Sequence, residues 1–149
     1  VTTNFVWDFH SDKNNAGAAE GMDYCGIPFD HAVSAFLDDI HERGLSDRIL
    51  LVCCGEMGRT PKLQKNGGRN HWGKLAPLML AGGGLRMGQV IGQSSPDAGE
   101  PASDPVTNDN LIGTIMNTLL DVGEVRLMES LPRDVHRVVT SARPIKGLS

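Results

Sequence analysis

The feature that most constrains this chain is the apolar run of residues 49–54, Ile-Leu-Leu-Val-Cys-Cys, which breaks at once into Gly55-Glu56-Met57-Gly58-Arg59-Thr60-Pro61-Lys62. So few polar positions predict a strand covered on both faces, the kind found in parallel sheets. Open α/β sheets place their ligands beyond the carboxyl ends of such strands. Glu56 and Arg59, and Arg69 and His71 in the following Gly68-Arg69-Asn70-His71-Trp72, therefore fall where a site is expected, on loops whose glycines allow close backbone approach.

The order of elements extends this expectation. Residues 1–7, Val-Thr-Thr-Asn-Phe-Val-Trp, read as an opening strand, and residues 8–26 as a long polar and small-residue loop. Phe29, Val33, Phe36, Leu37 and Ile40 recur at three-and-four spacing, which predicts an amphipathic helix over 28–43 with Pro28 in its first turn and Gly44 as its stop. Strand, helix, strand makes a βαβ unit with a parallel pair. Asp8 and Glu56 would then share one sheet edge.

Further along, residues 75–81 form a third apolar run, whose proline suggests an edge or strand-start position. Gly82-Gly83-Gly84 ends it without the spacing of a nucleotide-phosphate loop. Residues 93–105 read as loop. Thr107 can cap a helix with a Leu111, Ile112, Ile115, Met116, Leu119, Leu120 stripe that stops near Gly123, and 124–149 is a weakly patterned tail.

At 149 residues, 40% hydrophobic and 21% charged, the chain has the size and balance of one ordinary globular domain. No apolar run approaches the ~20 residues of a membrane span. A net charge of -4, from 14 basic and 18 acidic side chains, supplies no basic field for a nucleic-acid backbone. Three cysteines indicate no disulfide framework, and Cys53 and Cys54 read as small core residues. The chain starts on valine, directly in a strand, so it is expected to be processed or to be the carboxyl-terminal part of something longer.

Asp8 and His10 alternate on an extended segment and would point the same way, which suits either a shared metal ion or a hydrogen-bonded loop pair. Glu56, directly after a buried strand, needs a cation or donors opposite it: a metal, or an ion pair with Arg59 or Arg69. His71 lies beside an arginine and a tryptophan. His31, His41 and His136 read as solvated or packing residues. Together Asp8, His10, Glu56 and His71 make a mixed nitrogen and oxygen ligand set for zinc, manganese or a similar divalent ion such as calcium or magnesium. Arg59, Arg69 or Lys62 could hold a tetrahedral anion.

These motifs, with Trp7-Asp8-Phe9-His10, Leu80-Ala81-Gly82-Gly83-Gly84 and Gly88-Gln89-Val90-Ile91-Gly92, resemble the carboxyl-terminal part of the domain-of-unknown-function 1501 proteins over most of the chain to about Leu120. That family is similar to the alkaline phosphatase and sulfatase superfamily. The resemblance implies a three-layer α/β sandwich with a mostly parallel sheet, part of an alkaline-phosphatase-like fold, and a metal-dependent hydrolase of small anionic phosphate or sulfate esters. It places Asp8 and His10 as one ligand pair, Glu56 in the place of an aspartate ligand, and His71 as the final histidine ligand. Met57 stands where the superfamily usually has a histidine, and Asn70 where the family's own motif commonly has aspartate.

The superfamily's nucleophile and further acidic ligands come from an early strand with no counterpart in these residues. The resemblance therefore implies that this stretch is catalytically incomplete and is completed by an N-terminal remainder of the same domain. Many members are exported, which the resemblance extends to this chain as an expectation. A different class stays open: a non-catalytic relative that binds an anion or a protein through the same rim.

Overall fold

The computed structural model describes residues 7–148. Helix α1 (Ala18–Gly21) runs through a π-helical stretch, Met22–Gly26, into α2 (Ile27–Glu42). Pro28 stands at the start of α2, just after the π-helical stretch, and Gly44 follows the helix at φ 65°. Ile40 is buried and Val33 and Leu37 are half-buried, but Phe29 and Phe36 on the same stripe remain exposed. The helix is therefore where the periodicity put it.

Strands β1 (Leu50–Cys54) and β4 (Leu78–Gly82) pair in one two-stranded sheet, and β2 (Gly58–Arg59) and β3 (His71–Trp72) in another. Both pairs are antiparallel. The Gly83 N–H, just past the end of β4, donates to the Ile49 carbonyl at the start of β1, 2.9 Å away. This overturns the three-layer sandwich with a mostly parallel sheet. A parallel return needs a crossover of a dozen or more residues, usually a helix; the glycine- and lysine-rich residues 55–77 form a loop and the β2–β3 pair instead. Residues 50–53 are half-buried and Cys54 is exposed, so β1 is not covered on both faces. The opening strand lies outside the described residues except for Trp7, a bend, and the βαβ pair lies outside them with it.

Thr107 caps α3 (Asn108–Leu119) through a reciprocal capping box with Asn110. The helix ends before Gly123, because Asp121 caps a new one, α4 (Val122–Leu127). The segment read as a weakly patterned tail carries most of α4 and all of α5 (Arg133–Ser141), which pack Val122, Val125 and Val139 into a small core flanked by Met116 and Leu131. An isolated bridge between Ser94 and Pro101 interrupts the predicted loop.

The described chain divides into two compact units. One comprises residues up to Leu45, Cys53–Leu78 and Ser94–Pro101; the other comprises Ser46–Val52, Met79–Gln93 and Ala102 onward. No helix among the described residues is long and apolar enough to cross a membrane. Cys25, Cys53 and Cys54 are free, and only Cys25 is buried. Partial burial, then the neighbouring Cys54, pushes the Cys53 thiol above its ordinary range.

Candidate metal centre

The first unit assembles the site from two short stretches of chain. Phe9 is buried and makes a tilted ring contact with Trp7, whose other neighbour is Phe29 in an edge contact. With Phe9 anchored inward, the alternation of an extended segment sends Asp8 and His10 to the other side. The Arg69 N–H donates to the Phe9 carbonyl at 2.7 Å, and the Asn66 side-chain amide donates to the carbonyls of His10 and Ser11 at 3.1 and 3.0 Å. Ser11 returns a bond from its hydroxyl to the Asn66 carbonyl at 2.7 Å. Gly68 lies so close that any Cβ there would collide with the His10 carbonyl.

The β2–β3 register supplies the rest. Arg59 pairs directly with His71, and Gly58 with Trp72. Directly opposed residues of an antiparallel pair share one face. The guanidinium of Arg59 and the imidazole of His71 thus reach the same carboxylate: Arg59 Nη1 lies 2.6 Å and His71 Nε2 3.3 Å from Asp8 Oδ1. His10 Nδ1 lies 2.7 Å from that same oxygen. The two imidazole rings stand 4.8 Å apart at their centroids.

Partial burial opposes charge on Asp8, but hydrogen bonds from Arg59 and His71, and the electrostatic influence of Arg59 and His10, outweigh it. The carboxyl is held below its ordinary value of 3.8.

The ligand atoms of Asp8, His10 and His71 all lie within 4.8 Å of one another. That is close to the span bridged by one cation with bonds of ~2.0–2.2 Å. Two imidazoles and a carboxylate are the donor set of a zinc-like ion that keeps an open position, and His71, 51% exposed, leaves the cluster open to solvent on its side. The residues present fit a divalent metal. Arg59 is the group that now serves as the cation.

Glu56 does not join. It is exposed beyond β1 and belongs to no metal-ligand cluster among the described residues, and neither arginine proposed as its partner faces it. Arg59 is spent on Asp8, on the Trp7 carbonyl at 2.9 Å and on the Arg69 carbonyl at 3.4 Å. Arg69 Nη1 donates to the Thr60 carbonyl at 3.0 Å. Lys62 is exposed, and its charge helps lower the Asp97 carboxyl, which is set first by the Ser95 hydroxyl. The Thr60 hydroxyl donates to the Lys62 carbonyl and accepts from the Asn70 N–H, so it is held as a loop brace. Asn66 was invisible to motif reasoning, since a lone asparagine in a polar loop carries no spacing signal.

A family model described as a protein of unknown function, DUF1501, matches residues 1–148. The chain belongs to the DUF1501 family. No curated protein and no solved structure matches it. In this DUF1501 chain the Asp-x-His pair and the Asn-His-Trp segment are therefore the two motifs that geometry unites, while the Gly-Glu-Met-Gly-Arg motif contributes its arginine rather than its glutamate.

Proposed function

We propose that Asp8, His10 and His71 hold a divalent cation, and that the chain contributes this cluster to the hydrolysis of phosphate or sulfate esters. The observation that carries the reading is the convergence of three ligand atoms from stretches more than sixty residues apart, 63 between Asp8 and His71. The resemblance of the DUF1501 family to the alkaline phosphatase and sulfatase superfamily supports the same chemistry. When bound, such a cation polarises the ester and makes water a better nucleophile.

The chain's own residues do the rest. Asp8 fixes both imidazoles around one oxygen, so their ring nitrogens face a common point. Arg59, tied to the Trp7 carbonyl, and Arg69, tied to the Thr60 carbonyl, set a positive field beside that point, suited to an anionic ester. Lys62 adds an exposed ammonium on the connecting loop.

A second reading has its own support. The 2.6 Å contact of Arg59 with Asp8 satisfies the carboxylate without any metal, as a non-catalytic anion- or protein-binding relative would require. Metal analysis of the purified protein separates the two. Under the hydrolase reading, bound zinc or manganese drops on Asp8→Ala or His71→Ala but not on Glu56→Ala, and a chelator strips it from the wild type. Metal content indifferent to Asp8 and His71 would leave the binding relative standing.

A further inference from the structure

Resting on that reading, we infer that Arg59 is a displaceable internal cation: it occupies Asp8 in the metal's place, and a divalent ion must evict it to bind. Three nitrogens reach Oδ1 of Asp8, and the shortest contact, 2.6 Å, is that of Arg59 Nη1. Both imidazole nitrogens lie against Oδ1, so a cation held between them meets the same oxygen that the guanidinium already occupies. The imidazoles need not move aside, because their nitrogens become ligands beside the carboxylate. Arg59 alone has no lone pair to offer and must leave.

The side chain is built to leave without being lost. Its Nη2 is tethered to the Trp7 carbonyl at 2.9 Å, and Nη1 also approaches the Arg69 carbonyl at 3.4 Å, so the guanidinium has a second acceptor when Oδ1 is taken. Its side chain is 19% exposed, which keeps the charge near the cluster rather than in bulk water. Once released, its N–H groups would be free to bind an oxyanion of the ester. Metal loading and anion binding are thereby linked, each favouring the other.

The test is calorimetric titration of zinc into the wild-type protein and Arg59→Met, without phosphate. Removing the competitor is expected to tighten zinc binding roughly fivefold, the equivalent of a half-exposed ion pair, and to abolish the gain in zinc affinity that added inorganic phosphate produces in the wild type. Equal or weaker zinc binding by a natively folded Arg59→Met, with the wild type binding normally, overturns the inference and leaves the metal site intact. Zinc binding by neither protein sinks the site itself. Should Arg59→Met fail to fold, the wild type answers alone: slow exchange of the Arg59 guanidinium protons must be lost when zinc is added, and its persistence in the zinc-loaded protein refutes eviction.

Discussion

Asp8 is the residue on which the site turns, because one of its oxygens collects a guanidinium and two imidazoles. Its carboxyl is lowered in the folded chain, so its contribution to stability is present above the unfolded value of 3.8 and is lost as pH falls through the lower folded value. Asp12 and Asp97 are lowered too, by backbone and side-chain amides around Asp12 and by the Ser95 hydroxyl at Asp97, and they share this acid limb. Asp8→Asn should therefore flatten the acid limb in part, seen as a smaller fall in melting temperature between pH 5 and pH 2 (an order-of-magnitude window). An unchanged limb would mean that the ion pair does not form in solution. Gly68→Ala tests the other side of the site: its Cβ would strike the His10 carbonyl, and both stability and zinc affinity should fall together. Of these residues, Asp8, His10 and His71 were legible because alternation and a ligand-type side chain are local signals. Glu56 stands apart from them because β1, which it follows, pairs with β4 and leaves it exposed.

Among the elements, legibility followed length. Helices α2 and α3 show several turns of apolar periodicity; α2 and the start of α3 fall within a residue or two of the expectation, Pro28, Gly44 and Thr107 marking those ends, while α3 stops about a turn before Gly123. Strands β2 and β3 have two residues each and no room for a pattern, yet they align Arg59 with His71. The direction of β1 was misjudged, since a short apolar run does not say which partner it will find. Helices α4 and α5 were missed because their buried positions, Val122, Val125 and Val139, are shared between two short helices rather than repeated along one. Two measurements by chemical denaturation check these assignments. Thr107→Ala, which removes the cap of α3, should cost about 1 kcal/mol, and Val139→Ala in the small core about 2 kcal/mol.

For the molecule as a whole, metal binding and folding are one equilibrium if the cluster exists only in the native chain. Zinc at a hundred times its dissociation constant should stabilise the protein by about 2.7 kcal/mol, read as a rise in melting temperature that His71→Ala abolishes and Lys62→Ala leaves in place. A melting temperature indifferent to zinc in the wild type would remove the metal from the account. The sequence showed the chemistry of the cluster but not its frame. Ligand types are written in side chains, whereas the frame rests on backbone contacts at Phe9, Asn66 and Gly68 that no composition or periodicity marks. The pairing of Arg59 with His71 carries a last consequence. Because faces alternate with every residue along a strand, the pairing register of these two short arms acts as a ruler. A slip of one amino acid in that register would turn the imidazole away while leaving every ligand present, so a relative whose arms pair one position out would keep the ingredients and lose the centre.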